Sequence, residues 1–430
     1  MSGFSRLHVR SVEANRTIKD ELQAAVVRVS QRKNITVTDL VNPRQAFFRR
    51  RHPDISPSLD RVQVMWAGSG FHEQFGKAAS SEEYVEQYIE WESIVGKIDI
   101  YEEVPAELKT TSVHPLDLHQ RPSWIDQLGM YCAMTDNDRG NLLVYQRAEF
   151  GRTPSLRAYD VTFLDIPGIQ TDLRLVRDLF VNALENDDPG LLDRCEWSGR
   201  CDYGAVCGCA QLPEASALVG RARCAIAENT ELASRLSSLL GEQPAPPGWR
   251  LTDLVFPRKA LLERTTSKSQ SEREQEDEFK SMQRQGFQQA LLQSLYYGVR
   301  GAFRGQPIAL GDLSGVVRLF RDAPTLFRVS HFKEMVERHR LAEAMPHYLD
   351  RLAFECALTD LDKGRIVIHL DRLAGAKFMV YDVGFRDLPG IKIEAERRLA
   401  LLQSGSIDGL PKCPSWMARY CSFAPKCGCS

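Results

Sequence analysis

The chain has no run of about 18 apolar residues, the length a membrane-crossing helix needs, so no transmembrane segment is expected. It has no excess of either charge: 55 Lys and Arg against 57 Asp and Glu leave a net charge of −2. The molecule as a whole therefore cannot act as an electrostatic sleeve for nucleic acid, and any such contact must come from a local basic surface. Its opening residues, Met1 to Arg6, lack the apolar core of a secretion signal. These absences lead to the expectation of a cytoplasmic protein with no membrane partner. What is present suffices for two or three ordinary globular cores: 430 residues, 43% hydrophobic and 26% charged.

Basic density peaks at Arg44, Arg49, Arg50, Arg51 and His52, which reads either as a solvated helix end or as a nucleic-acid contact. Cysteine is unevenly placed. Of eleven, Cys195, Cys201, Cys207 and Cys209 form one tight group, and Cys413, Cys421, Cys427 and Cys429 a second. In an intracellular chain such groups point to a metal or cluster site before disulfides. Cys132, Cys224 and Cys356 stand alone and are expected to be packed or neutral thiols.

Each cysteine group closes one half of the chain, and the halves repeat. Thr38-Asp39-Leu40-Val41-Asn42-Pro43-Arg44 returns as Thr252-Asp253-Leu254-Val255-Phe256-Pro257-Arg258. Asp126 to Gly140 returns as Asp350 to Gly364, and Asp165-Ile166-Pro167-Gly168-Ile169 as Asp387-Leu388-Pro389-Gly390-Ile391. Conserved order with nearly constant offset implies a tandem duplication, with domains expected at 1–212 and 213–430. A helix is expected over 214–240 to open the second half, then a loop over Gly241 to Gly248. The stretch from Thr265 to Asp277 is polar and charged, as in a mobile segment or solvated helix.

Within the first half, helices are expected at 21–31, 39–51 (with Asp39 as cap), 124–134 and 171–184. Strands are expected at 93–101, 104–111, 141–147 and 156–163. This order implies an α/β fold around a central mixed sheet.

One strand, Gly96 to Ile100, carries an acid, Asp99, among apolar neighbours, and Glu107-Leu108-Lys109 follows in the next. Alternation puts Glu107 and Lys109 on one face and Leu108 on the other. If the strands pair, Asp99 comes beside Glu107 and two carboxylates make a site for Mg²⁺ or Mn²⁺. Lys109 would then orient or activate a water. Downstream, Gln127 and Tyr131 stand four apart and so share a helix face.

With His72 upstream in Gly70-Phe71-His72-Glu73, this set resembles the PD-(D/E)xK nuclease superfamily, in its RecB-like branch that includes the CRISPR-associated exonucleases. The resemblance covers nearly the whole first half. It implies tandem restriction-endonuclease-like domains, each a mixed sheet flanked by helices with a C-terminal four-cysteine site. It implies that His72, Asp99, Glu107 and the Leu108 carbonyl hold the metal, that Lys109 is catalytic, and that Gln127 and Tyr131 position DNA or support Lys109. Iron–sulphur members of the branch use one early cysteine, just before Pro-Arg, and three late ones. Here the early position is Asn42, and Phe256 in the second half. Cys209, and by analogy Cys429, would supply the missing ligand of a [4Fe–4S] cluster, with Zn²⁺ as the alternative.

Aligned on the repeat, His72 faces Gln288, Asp99 faces Arg318, Glu107 faces Leu326, Lys109 faces Arg328, Gln127 faces Arg351 and Tyr131 faces Glu355. The second half thus retains the scaffold and loses every site residue. The function expected is a metal-dependent DNA nuclease, an exonuclease on single-stranded DNA or free ends, carrying an inactive second copy that binds DNA or serves structure. The alternatives are a non-catalytic nucleic-acid-binding scaffold and a subunit of a larger DNA-processing complex with protein partners.

Overall fold

The computed structural model describes residues 4–26, 34–147, 153–196, 199, 201–213, 216–239, 248–266, 272–299, 301–330, 334–370, 378–414, 417, 421 and 423–429. Its strands are β1 (Val9–Ala14), β2 (Ile35–Thr36), β3 (Val85–Trp91), β4 (Ile94–Tyr101), β5 (Pro105–Thr111), β6 (Arg139–Gln146), β7 (Ser155–Phe163), β8 (Cys224–Glu228), β9 (Phe303–Leu310), β10 (Leu313–Phe320), β11 (Ala323–Ser330), β12 (Lys363–Leu370) and β13 (Phe378–Phe385). The helices are α1 (Arg16–Val26), α2 (Val37–Val41), α3 (Pro43–Arg51), α4 (Leu59–Ala79), α5 (Pro122–Met134), α6 (Ile166–Asn186), α7 (Thr230–Leu239), α8 (Leu251–Val255), α9 (Pro257–Thr265), α10 (Glu272–Gly298), α11 (Leu341–Ala344), α12 (Pro346–Thr359) and α13 (Leu388–Gln403). The protein is α/β, with mixed sheets flanked by helices. No described helix is long and apolar enough to cross a membrane.

One sheet runs β2-β4-β5-β6-β7-β8, with β3 also paired to β4; the other runs β1-β13-β12-β11-β10-β9. The pairs β4–β5, β5–β6, β6–β7 and β7–β8 are antiparallel, parallel, antiparallel and antiparallel. The pairs β10–β11, β11–β12, β12–β13 and β13–β1 follow the same sequence. A parallel pair needs a long crossover. The segment holding α5 supplies it between β5 and β6, and the segment holding α12 between β11 and β12. Both helices are buried on most of their surface, including Leu128 and Cys132 in α5 and Leu352 and Cys356 in α12.

The compact units do not coincide with the expected division at 212/213. One comprises residues 27–243 and 270–290; the other 1–26, 244–269 and 291–430. Edge-strand pairing is the reason. The segment opening the first half adds β1 to β13, and the segment opening the second half adds β8 to β7. Equivalent bonds hold both. Asp126 accepts from the Leu218 and Val219 amides at 3.1 and 2.7 Å, and Asp350 from the Ser5 amide at 2.9 Å. Asn229 caps α7 and donates to Asp160; Asn15 caps α1 and donates to Asp382 at 2.7 Å. Asn15 and Asn229 stand 214 residues apart, as do Thr38 and Thr252, so the repeat extends to this pair.

Other expectations need correction. Residues 216–239 form a strand and a helix, β8 and α7, because an apolar edge strand is needed to cover β7. The helix expected from Asp39 is two helices. Thr36 is the cap of α2 and Asp39 its third residue, each bonding the other's backbone, and Pro43 opens α3. The expected helix at 21–31 is α1, which begins at Arg16 and is described to Val26; residues 27–33 lie outside the described set. So do 240–247, which hold most of the expected loop, and 267–271 of the polar stretch. The remaining strands and helices of the first half lie where the pattern put them, the helix that the resemblance implies for His72 is α4, and β1, β2 and β3 are additional.

The repeated Asp-x-Pro-Gly has a local cause. Asp165 caps α6 through the Gly168 amide at 2.9 Å, and a Cβ at Gly168 would stand 2.0 Å from Asp165 Oδ2. Asp387 and Gly390 repeat this at α13, where the distance would be 2.2 Å.

A fragment cut at the sequence boundary, 1–212, keeps β7 exposed and lacks its edge strand. We expect it to oligomerise or aggregate through that edge. A fragment spanning 27–290, which holds one entire unit, should unfold cooperatively as a monomer. Light scattering with urea melts compares the two; a well-folded monomeric 1–212 would contradict this account of the units.

Candidate functional site

The site lies where β4 and β5 separate. The strands pair only at Ile100 with Ala106 and Tyr101 with Pro105. At the next position the Asp99 carboxylate takes the ladder's place: Oδ2 accepts the Leu108 amide at 2.8 Å. N–H and C=O of one strand residue leave by the same edge, so the Leu108 carbonyl is directed to the Asp99 side as well. Oδ1 of Asp99 lies 3.3 Å from His72 Nδ1, which α4 delivers.

Glu107 is 3% exposed. Its Oε1 accepts from Lys109 Nζ at 2.6 Å, and Lys109 also donates to Gln127 Oε1 at 2.6 Å. Gln127 donates to the Tyr131 hydroxyl at 3.3 Å, and that hydroxyl donates to the Lys97 carbonyl at 2.9 Å. The six expected side chains thus form two bonded sets, His72 with Asp99 and Glu107 with Lys109, Gln127 and Tyr131, and the two interact electrostatically through Asp99, Glu107, His72 and Lys109. Glu107 Oε2 stands outside these bonds: it is buried and has no hydrogen-bond partner. A buried carboxylate oxygen in that state calls for a proton or a cation.

The electrostatics follow. Burial pushes the Glu107 carboxyl up to about 7, with Asp99 adding repulsion against the opposing pull of Lys109. Burial also works to raise Asp99, but His72 and the Leu108 amide outweigh it and hold Asp99 below its ordinary value. His72 is raised, because the Asp99 carboxylate overcomes the burial that disfavours its charge. Two neighbouring carboxyls are thus driven apart, one ionised and one poised near neutrality.

Gly96 explains part of the pattern around Asp99. A Cβ there would stand 2.8 Å from Ile89 Cγ1 and 3.0 Å from Tyr131 Cε1. The missing side chain is what lets Tyr131 reach the Lys97 carbonyl. At Gly315, the counterpart in β10, nothing lies within 4 Å. Gly70, two residues before His72, meets Gly286 of α10 backbone to backbone, since a Cβ on Gly70 would stand 1.9 Å from the Gly286 carbonyl oxygen. The second half of the sequence thus supplies a helix against α4. Phe279 of that helix stacks on Tyr145, which stacks on Phe71.

Four arginines of the basic cluster are engaged within the fold, with Arg44 buried and Arg51 exposed at the helix end. Asp39, with none of its surface exposed, is bonded by both Arg49 and Arg50. Arg51 pairs with Asp187 at 2.9 Å and bonds the Leu184 carbonyl. Arg44 is buried and donates to the carbonyls of Cys207 and Pro189, each at 2.7 Å, and of Leu192 at 3.1 Å. Arg258 does the same for Leu410 at 2.9 Å and Cys427 at 2.6 Å. The Pro-Arg of the repeat is therefore the clamp on each cysteine lobe. Asn42, beside it, accepts the Glu196 amide at 3.4 Å.

The eight grouped cysteines gather as two sets of free thiols. Cys195 and Cys209 sulphurs lie 3.4 Å apart. Hydrogen bonding from Cys195, with further bonds from the Tyr203 amide and Cys207, pulls Cys201 down to about 6 despite burial. Burial, then the Cys429 thiol, pushes Cys413 up to about 12. Cys132, Cys224 and Cys356 are buried. Among the described residues, no group of three or more His, Cys, Asp or Glu is already arranged to hold a metal ion. At the fork the protein's own bonds engage three of the carboxylate oxygens: both of Asp99 and Oε1 of Glu107.

In the other unit the fork between β10 and β11 is basic. Its hairpin is tighter, with Phe320 pairing with Ala323 across Arg321 and Asp322, where β4 and β5 need Glu102, Glu103 and Val104. Arg351 bonds Glu355 at 2.6 Å, Leu326 is buried, and Arg318 and Arg328 replace the acid and the lysine. Gln288, the counterpart of His72 in the repeat, belongs to α10 and to the unit of 27–243 and 270–290.

No family model matches the chain, and no curated protein matches it. Among solved structures, one described as the crystal structure of SSO0001 is similar, at 17% identity over 46% of this chain and 95% of that one, with a TM-score of 0.30.

Two outcomes test the geometry. Gly96→Ala should destabilise the protein by about 1–3 kcal/mol through overpacking against Ile89 and Tyr131, whereas Gly315→Ala should be neutral or stabilising. Equal effects in urea melts would refute the close approach at Gly96. In metal-free protein, the folded state keeps the Glu107 proton up to about 7 while an unfolded glutamate loses it near 4.5, so this group makes stability fall as pH rises through that window. The melting temperature of Glu107→Gln relative to wild type should therefore climb across the window and then level. A pH-independent difference would show that Glu107 is ionised throughout.

Proposed function

We propose that the unit of residues 27–243 and 270–290 is a metal-dependent DNA nuclease of the PD-(D/E)xK, RecB-like kind, acting on single-stranded DNA or free ends. In this reading the chain is a tandem duplication of restriction-endonuclease-like domains, and the second copy has lost its active site. The carrying observation is the unpartnered buried Oε2 of Glu107, set beside Asp99 and Lys109 at a strand fork. An ordinary surface hairpin would not bury an acid at that cost.

Asp99, Glu107, the Leu108 carbonyl and His72 would hold Mg²⁺ or Mn²⁺, which stabilises charge developing on a phosphate. Lys109, held between Glu107 and Gln127, would orient or activate the attacking water. Tyr131 fixes Gln127, and burial keeps its phenol protonated. Loading would require the His72–Asp99 contact to loosen and Glu107 to give up its proton.

Each four-cysteine group would hold a [4Fe–4S] cluster, or Zn²⁺ in its place. Collected, disulfide-free sulphurs under an arginine clamp support that reading. So does Asn42, which lies against the lobe where the related nucleases carry their early cysteine. The cluster's role is structural, joining the lobe into the domain.

With Mn²⁺ or Mg²⁺, purified protein should shorten labelled single-stranded DNA. Asp99→Ala and Lys109→Ala should each lower the rate by about 10³-fold, with melting temperatures showing that both variants fold. Protein that binds DNA and never cuts it would give way to the scaffold reading. Metal analysis on the same preparation separates a brown iron–sulphur protein from a colourless zinc one.

A further inference from the structure

We propose that the fork between β10 and β11 is a phosphate-binding site whose donors are Arg318, Arg328 and Arg351. The proposal rests on charge and burial in that unit and not on the nuclease reading of the other.

Arg351 and Arg318 both act on Arg328 there, against a single carboxylate, Glu355. Glu355 is buried, and Arg351 already holds it at 2.6 Å while also donating to Thr252 Oγ1 at 3.0 Å. Arg328 is only partly exposed. It donates to the Phe327 carbonyl at 2.8 Å, its guanidinium stands 5.9 Å from the Tyr348 ring centre, and it forms no ion pair among the described residues. Arg318 forms none either, and the one acid acting on it is the same Glu355. Burial, then repulsion from Arg351, lowers Arg328, with Arg318 adding a smaller push. His347, the other titratable neighbour from α12, is pulled down to about 4 by burial and by Arg328, so it adds no charge at neutral pH.

The fork therefore holds more positive charge than it neutralises, with Arg318 exposed at its rim and Arg328 and Arg351 partly buried. For the two partly buried guanidinium groups, uncompensated charge is costly unless an anion enters. The donors choose the anion. Guanidinium forks match the paired oxygens of a phosphate, and Thr252 adds a hydroxyl. The equivalent fork between β4 and β5 is built of carboxylates and suits a cation, so the two forks take opposite charges. Phosphate could arrive as a nucleic-acid backbone or as a free anion.

The test uses the full chain in EDTA, so that no cleavage enters. Melting temperature is followed against inorganic phosphate, with chloride at equal ionic strength as control. Binding of a fluorescein-labelled single-stranded oligonucleotide is followed by anisotropy over a salt series. Wild type should be stabilised by phosphate, and Arg328→Gln should remove most of that shift. If the backbone is the source, the combined Arg318→Gln, Arg328→Gln and Arg351→Gln protein should also lose about 2 units of log–log salt slope, roughly 0.7 per phosphate contact. A lost phosphate shift with an unchanged slope assigns the site to a free anion. Glu355→Gln, which removes the opposing carboxylate, should tighten phosphate at least several-fold, and it serves if the triple variant fails to fold. Unchanged phosphate stabilisation in the arginine variants, or no tightening in Glu355→Gln, overturns the proposal. Failure of cleavage in Mn²⁺ would leave these results untouched.

Discussion

A single side-chain bond, from the Leu108 amide to Asp99, organises the candidate site. By accepting a backbone donor that a neighbouring strand would otherwise take, Asp99 ends the β4–β5 ladder and holds the strands apart. The fork it opens receives His72 from one side and turns the Leu108 carbonyl inward. Because alternate residues share a face, it also lines up Glu107 and Lys109 along its floor. The acid is therefore a wedge in the sheet as well as a charge in the site, and its two oxygens are divided between those tasks.

Around the fork, the fold makes room and removes freedom. Gly96 gives Tyr131 its path to the Lys97 carbonyl, Tyr131 meets Gln127, and Gln127 holds Lys109 against Glu107. Gly70 lets α4 touch α10 at the backbone, two residues before His72. The supports come from β4, α5, α4 and α10, so the site depends on the unit being fully assembled. That unit includes β8 and part of α10, both drawn from the second half of the sequence. The second half is thus not a passive appendage whatever its own fork does.

The repeat separates residues whose bonds recur in both units from residues whose bonds do not. Asp39 and Asp253, Arg44 and Arg258, Asp126 and Asp350, and Asp165 and Asp387 have kept their bonds: to helix ends, to the cysteine lobes and to the edge segments. The fork residues have not kept theirs. With Tyr131 replaced by Glu355, the space above Gly315 is no longer filled, and the hairpin has tightened across Arg321 and Asp322. Side chains and local backbone have changed together at the second fork.

Much was legible in the sequence because it is local. Alternation of Ile94, Ile98 and Ile100 marks β4, and the same alternation separates Glu107 and Lys109 from Leu108. Helical spacing joins Gln127 to Tyr131, and the repeat is visible in order and offset alone. What sequence could not decide is long-range. Local charge density made Arg44, Arg49, Arg50 and Arg51 resemble an open basic surface, since nothing nearby in sequence shows Asp39 buried beneath them or the Cys207 carbonyl waiting for Arg44. Periodicity likewise cannot say which sheet an edge strand will join, so the repeat alone places 1–26 and 213–243 with their own halves. Composition and spacing determined the elements and the candidate residues; only tertiary structure decided their partners, because a hydrogen bond or ion pair depends on distance in space, which sequence separation does not record.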